Sequence, residues 1–317
     1  MADWHIFDKD RPPHDGITRL PDPPPWRDFR SRESGAAAAY QIGEHEVELV
    51  NAALYLRRPL LVTGPPGVGK STLARAIAEQ LRLGSVLRWS INSRSTLAEG
   101  LYQYDALARL RDANLPDHKD KAEDIGRYVQ LGPLGTALYP RKTPRVLLID
   151  EIDKSDIDLP NDLLHVFEDG TYEIPELKRI AGREKDVRVL PFDGSTDDDR
   201  VPVAGGRVPC EAFPVVVLTS NGERELPPPF LRRCLRLDLR VPDEVQLTAI
   251  IKAHLGARTA EEAEELVKYF VARRDDGRVL ATDQLLNAVF LITQLNAPTG
   301  AERQALLDAV LRELGKS

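Results

Sequence analysis

Residues 64–72 read Gly-Pro-Pro-Gly-Val-Gly-Lys-Ser-Thr, and they follow the apolar run Pro59-Leu60-Leu61-Val62-Thr63. The run 59–63 reads as a buried strand, and the stretch from about Lys70 to Leu83 reads as a helix. The pattern G-x-x-x-x-G-K-[ST] between a strand and a helix is the setting of a phosphate-binding loop. Glycines at 64, 67 and 69 let the backbone curl until its N–H groups and the helix N-terminus face phosphate oxygens. Pro65, Pro66, Val68 and Thr72 complete the nucleotide-binding loop. Lys70 is the residue to bridge the β- and γ-phosphates of ATP, and Ser71 the one to ligate Mg²⁺. A glycine-rich turn without a ligand is the competing reading, and the flanking elements count against it.

Two more apolar runs end in chemistry. Val146-Leu-Leu-Ile149 is followed by Asp150 and Glu151, at the end of a strand, where parallel α/β sheets place their ligands. Asp150 is expected to hold the Mg²⁺ shell, and Glu151 to orient or deprotonate the attacking water. Val215-Val-Val-Leu218 is followed by Thr219-Ser220-Asn221. Asn221 is a candidate to hydrogen-bond the γ-phosphate or the water; the alternative is an Asn that begins the turn at Gly222. After Leu226-Pro-Pro-Pro229 come Arg232 and Arg233, able to stabilise phosphate charge in this chain or a neighbour. Isolated arginines are more often solvated or salt-bridged.

Composition sets the bounds for these motifs. With 317 residues, 42% hydrophobic and 29% charged, the chain is long enough for one large or two ordinary globular domains. No run approaches the roughly 18 apolar residues of a membrane span, and Met-Ala-Asp-Trp-His lacks the zones of a signal peptide, so the expectation is a cytoplasmic protein. Cys210 and Cys234 make no disulfide framework and are read as non-catalytic thiols. A net charge of −7 argues against a dedicated nucleic-acid binder, which needs a basic face.

Along the chain, residues 1–39 are rich in proline and charge and read as an extended or disordered arm. Residues 40–241 alternate strands with helices, adding strands over Val86–Ile91 and at Leu235, Leu237 and Leu239. That alternation implies a parallel sheet covered by helices on both faces. Residues 242–317 carry four helix-like segments, near 243–255, 260–274, 282–295 and 301–314, and form a small all-α domain.

From about Tyr40 onward the chain resembles the MoxR branch of the AAA+ ATPases, through GPPGVGKST, VLLIDEIDKSDIDLPNDLLHVFEDG, VVLTSNGERELPPPFLRRC and the helical C-terminal lid. The resemblance implies an AAA+ P-loop NTPase core with a five-stranded parallel sheet, followed by the lid. It makes 64–71 the Walker A loop, Asp150 and Glu151 Walker B, and Asn221 sensor 1, with Arg233 the first choice for an arginine finger and Arg232 the second. It further implies a hexameric ring, ATP hydrolysis with Mg²⁺, and protein clients that are remodelled rather than cut; a von Willebrand A domain protein is a frequent partner in that branch. Residues 97–118 resemble that family's helix-2 insertion, and Val187, Val189, Val201 and Val203 within 171–213 suggest an inserted hairpin. Surface decoration is the alternative for both.

The lid departs from the wider pattern, because Leu280-Ala-Thr-Asp283-Gln-Leu-Leu-Asn287 carries no sensor 2 arginine; Arg278 lies just before it. The expected function is that of an ATP-driven chaperone or remodeller acting on a protein. A slow nucleotide-dependent scaffold or switch in a defence or signalling system is the alternative, and a helicase-loader type of motor is a third reading disfavoured by the acidic balance.

Overall fold

The computed structural model describes residues 6–7, 12–28, 42–115, 124–276, 278–294 and 297–312. Among the described residues, eleven strands run in chain order: β1 Leu60–Thr63, β2 Leu87–Ser90, β3 Tyr102–Tyr104, β4 Val129–Leu131, β5 Val146–Asp150, β6 Thr171–Glu173, β7 Asp186–Val189, β8 Val201–Ala204, β9 Arg207–Pro209, β10 Val215–Ser220 and β11 Leu235–Asp238. The chain divides into two compact units. One comprises Gly43–Gly64 and Leu73–Leu239; the other comprises Met1–Ile42, Pro65–Thr72 and Arg240–Ser317.

The first unit is built on a five-stranded sheet in the order β11-β1-β10-β5-β2, with every pairing parallel. This is the AAA+ P-loop architecture expected from the sequence. All five residues of β5 are buried, as a strand covered on both faces requires. Its neighbour β10 is β-branched through Val215, Val216 and Val217, which suits a pleated interior. Alternation sorts the side chains between faces. Leu87, Trp89, Leu147, Ile149, Val216 and Leu218 point into one large apolar cluster. Arg88, Asp150 and Thr219, of opposite parity, are left to the other face. β2 lies at the sheet edge, so its alternate residues Arg88 and Ser90 are exposed.

Two excursions leave this sheet. Between β2 and β5, a helix at Leu97–Leu101 opens with a capping box, in which Thr96 and Glu99 satisfy each other's backbone N–H groups. It leads into β3, the helix Ala106–Asn114, and β4, which pairs antiparallel with β3. Residues 116–118 of the expected insertion lie outside the described residues. The second excursion contains the antiparallel pair β7–β8, with Val187 opposite Val203 and Val189 opposite Val201. The paired valines form the expected hairpin, and β6 pairs antiparallel with β9 at its base. Gly135, in the helix Pro133–Leu138, permits a close approach, since a Cβ there would stand 1.9 Å from the Leu101 carbonyl oxygen.

In the second unit, helices at Glu244–Leu255, Ala257–Glu262, Glu264–Asp275, Thr282–Ile292 and Gly300–Val310 surround Leu247, Ile251, Val267, Phe270, Leu285, Val289 and Leu307. Asp243 and Gln246 form the capping box that starts the first of them. The single helix expected over 260–274 is two. It starts at Ala257 and breaks at Ala263, whose ψ of −1° lies off the helical value, while the small buried Ala260 and Ala263 let both pieces reach the core.

Trp26 belongs to this unit as well. It follows Pro25 in a one-turn 3₁₀ segment and packs against the apolar cluster. Its indole N–H donates to Asn287 Oδ1 at 3.1 Å, and its ring meets His254 and Phe290 edge-on, with centroids 6.2 and 6.0 Å away. Residues 1–5, 8–11 and 29–39 of the arm lie outside the described residues, as do residues 40 and 41. Among the described residues no helix is long and apolar enough to cross a membrane.

Candidate functional site

The phosphate loop has the backbone that its glycines predict. Gly64, Gly67 and Gly69 have φ of 143°, 74° and 98°, values open to glycine and strained for other residues. The helix Lys70–Gln80 begins at the motif lysine, so the positive end of its dipole opens on the loop. Lys70 is only 8% exposed, and its ammonium donates to the Pro65 carbonyl at 2.9 Å. A buried ammonium at a helix N-terminus inside a curled backbone fits a phosphate group.

The same loop meets the helical lid. A Cβ added at Gly67 would stand 2.8 Å from the Ala281 Cβ and 3.1 Å from both Asp283 Oδ1 and the Thr282 nitrogen. The segment lacking a sensor 2 arginine is therefore in close backbone contact with the loop, and its nearest charged group is acidic.

The C-terminal ends of β5 and β10 hold the second part. Asp150 is 6% exposed. Its Oδ1 accepts from the Thr219 hydroxyl at 2.7 Å, and its Oδ2 is paired with Arg88 Nη2 at 2.6 Å. Thr219, 1% exposed, also accepts the Glu151 backbone N–H at 2.8 Å. One hydroxyl thus ties both acidic residues to β10. Glu151 has a left-handed backbone, φ 62° and ψ 49°, which costs a non-glycine residue about 1–2 kcal/mol. That turn carries its side chain out of the strand's alternation to a half-exposed position, where it pairs with Lys154 at 3.0 Å. The hydrogen bond to Glu151 raises the Lys154 pKa. A buried carboxylate with hard oxygen donors, already drawing a cation, fits Mg²⁺.

Asn221 follows β10, and its backbone N–H donates to Asp153 Oδ2 at 2.9 Å. The Glu223 N–H donates to the same oxygen at 3.0 Å. Asp153 is 2% exposed, so the loop holding Asn221 is clamped from below by a buried carboxylate. Among the described residues, Asp153 Oδ1 has no hydrogen-bond partner. Arg233 is ion-paired to Glu168 and donates to the Pro229 carbonyl at 3.3 Å. Arg232, one residue earlier, is exposed.

Three residues of this site were not singled out in the sequence: Arg88, Thr219 and Asp153. Arg88 had one signal, its place between buried Leu87 and Trp89 in a run read as a strand. Of the two cysteines, Cys234 is buried and desolvation pushes its thiol pKa up to about 12, and burial raises that of Cys210 too. Among the described residues no group of three or more His, Cys, Asp or Glu side chains could hold a metal by itself.

Part of the chain is similar to known proteins. Residues 58–188 match the family described as AAA domain (Cdc48 subfamily). The chaperone protein ClpB of Chlamydia pneumoniae is 32% identical over 181 residues, covering 56% of this chain and 19% of ClpB. The chloroplastic chaperone protein ClpD1 of Oryza sativa subsp. japonica is 29% identical over 142 residues, covering 43% of this chain and 13% of ClpD1. The chain thus spans under a fifth of the length of either relative. Among solved structures, domain III of the Thermotoga maritima replication initiation protein DnaA aligns over 87% of this chain and 95% of that one, at 15% identity and a TM-score of 0.41.

Proposed function

We propose that this chain, an Mg²⁺-dependent ATPase of the AAA+ family, is a ring-forming remodeller of the MoxR type that uses ATP hydrolysis in the cytoplasm to reshape a protein partner. The observation that carries the reading is the placement of three strand ends. β1, which runs into the phosphate loop, pairs with β10, which Asn221 follows, and β10 pairs with β5, which ends at Asp150 with Glu151 next. Parallel strands bring all three ends to one edge of the sheet.

In this reading Gly64 to Thr72 hold the phosphates through backbone N–H groups, and Lys70 offsets their charge. Mg²⁺, when bound by Ser71 and Asp150, neutralises further phosphate charge. Glu151 orients the attacking water and accepts its proton, while Asn221 fixes the water or the γ-phosphate through its side-chain amide. Arg233 or Arg232 stabilises transition-state charge in a neighbouring subunit. The partner is a protein, and a von Willebrand A domain protein suits the MoxR resemblance.

One observation favours slow basal turnover, the behaviour of a nucleotide-dependent switch. Glu151 is paired with Lys154 and Arg233 with Glu168, so both chemical groups are engaged within the chain and have to be released to act. A partner that stimulates hydrolysis supports the remodeller; unchanged hydrolysis on adding the partner supports the switch.

The direct test is Glu151→Gln with Lys70→Ala. The first is expected to bind ATP and lose turnover by about 10²-fold or more; the second is expected to lose binding. Wild-type turnover in the first, or wild-type ATP affinity in the second, overturns the assignment. Ring formation is tested by measuring mass with and without ATP. Mixing Arg233→Ala with Lys70→Ala subunits is expected to restore part of the activity, and no recovery despite proven co-assembly removes Arg233 from a role in trans. Repeating the mixture with Arg232→Ala assigns the role between the two arginines.

A further inference from the structure

We propose that a groove at the starting edge of the five-stranded sheet, rimmed by Arg57 and Arg58, is a docking site for an acidic segment of a protein partner, anchored by one apolar residue. The inference deepens the remodeller reading by giving the partner's chemistry, and it rests on that reading only in taking the partner to be a protein.

The groove measures about 530 Å³. It opens beside Leu60, the first residue of β1, and beside Val215 and Val216, the first two of β10. Parallel strands begin together at this edge, so the groove lies at the end of the sheet opposite Asp150 and Thr219. Its buried lining is Val50, Ala53, Leu60, Ile77 and Val216, each 9% exposed or less. The helix Glu44–Leu56 supplies one wall. Val47, Val50 and Leu54 recur on it at helical spacing, and that apolar stripe is only partly covered, with Leu54 half-buried and Val47 41% exposed. Leu81, 45% exposed, and Leu83 add apolar surface from the turn after the helix Lys70–Gln80.

Charge decides what such a groove takes. Among the described residues that line it, Arg57 and Arg58 are charged and none is acidic. Both arginines are exposed, and among the described residues neither has an ion pair. Arg57 and Arg82 have left-handed backbones, φ 53° and 54°, each just past a helix end, where glycine is the usual residue. Arg82 stands between Leu81 and Leu83 of the groove. Among the described residues other than glycine, Glu151 alone shares that conformation. Strained backbone of this kind clusters at sites that need a particular side chain. The chain as a whole carries −7, so this cationic rim runs against its overall sign. An apolar lining inside a cationic rim is complementary to an apolar side chain flanked by carboxylates. Arg57 also donates to the Leu54 carbonyl, and a cation suits the C-terminal end of a helix. Glycine ends a helix equally well, so Arg57→Gly separates that structural role from binding.

The experiment uses the full chain as wild type, Arg57→Gly, Arg58→Glu and Leu81→Asp. Random peptides about twelve residues long, displayed on phage, are selected on the wild type, and the enriched sequences are synthesised and measured by fluorescence anisotropy. They are expected to share one Leu, Ile or Phe flanked by Asp or Glu, and to bind more weakly as salt rises. Arg58→Glu and Leu81→Asp are each expected to weaken them about ten-fold or more. Arg57→Gly is expected to weaken them about three- to ten-fold while its melting temperature stays within about 2 °C of the wild type. ATP hydrolysis without peptide is expected to match the wild type in all three variants.

No enriched sequence, an enriched sequence without carboxylates, or affinities that ignore all three substitutions overturns the docking site. A lowered particle mass in Arg58→Glu with no peptide enriched gives the groove to a second copy of the chain, and the proposal fails. If Leu81→Asp does not fold, the two arginine variants decide. The two levels part cleanly. Peptides that obey the rim while Glu151→Gln keeps wild-type turnover leave the groove standing and remove the ATPase assignment. Loss of turnover in Glu151→Gln with no peptide enriched does the reverse.

Discussion

Replacing Thr219 by Val removes one oxygen and keeps the shape of the side chain. That oxygen donates to Asp150 at 2.7 Å and accepts from the Glu151 N–H at 2.8 Å, at a residue 1% exposed. Losing a hydrogen bond to a charged group costs about 1.5–3 kcal/mol, and leaving a buried N–H unpaired about 1–3 kcal/mol. The added methyl returns about 0.8 kcal/mol of apolar burial, and relaxation around the N–H recovers part of the rest, so the expected net loss is about 3 kcal/mol. For a domain of this size that lowers the melting temperature by about 6–12 °C. Turnover is expected to fall as well, because the lost bond is one that anchors the strained left-handed backbone of Glu151. Thr219→Ser keeps the hydroxyl and gives up one methyl, at about 1 kcal/mol. Thermal unfolding and steady-state ATP hydrolysis on the three proteins test the reasoning. A Val variant within about 2 °C of the wild type with full turnover, or a Ser variant as damaged as the Val variant, refutes it.

Gly67→Ala combines a positive φ of 74° with a Cβ 2.8 Å from that of Ala281; it is expected to cost about 1–2 kcal/mol in backbone strain alone, and calorimetry is expected to show nucleotide affinity at least about ten-fold weaker. Trp26→Ala removes the bond to Asn287 and both edge-on ring contacts; amide exchange in the helix Thr282–Ile292 is expected to speed up about ten-fold, a loss of about 1–2 kcal/mol for a half-buried ring, and unchanged protection counts against the docking. Thiol reagents attack the thiolate, and with a pKa pushed up to about 12 only about one Cys234 in ten thousand is ionised at pH 8. Native Cys234 is therefore expected to stay unreactive through pH 9, to gain reactivity only as the pH climbs toward 12 or the chain unfolds, and prompt labelling at pH 8 counts against its burial.

The phosphate loop was legible because its chemistry is local. Three glycines, a lysine and a serine within eight residues specify a left-handed, N–H-lined turn wherever a strand meets a helix. The inner strands were legible because runs such as Val146–Ile149 and Val215–Leu218 have no polar residue to face solvent, which only a doubly covered strand tolerates, and the edge strands β2 and β11 because apolar and polar residues alternate along them. Glu151 was legible as a residue, though its left-handed backbone was not, since nothing in Ile-Asp-Glu-Ile requires it.

The tertiary structure alone decided which of these ends meet and what holds them. Strand periodicity says which side chains share a face and leaves open which strands are neighbours and in what register. The pairing of β2 with β5 is what brings Arg88 to Asp150, 62 residues away, and that of β5 with β10 is what lets Thr219 hold both acidic residues. The same limit hid Asp153, an ordinary acidic residue in sequence whose carboxylate becomes a clamp only when the loop after β10 folds over it. It hid Trp26 too, because a tryptophan among prolines shows no period, and its partner Asn287 lies 261 residues further on. Local pattern thus determined the chemistry the chain carries, while long-range register and packing, which follow from burying apolar faces together, decided the geometry in which that chemistry is held.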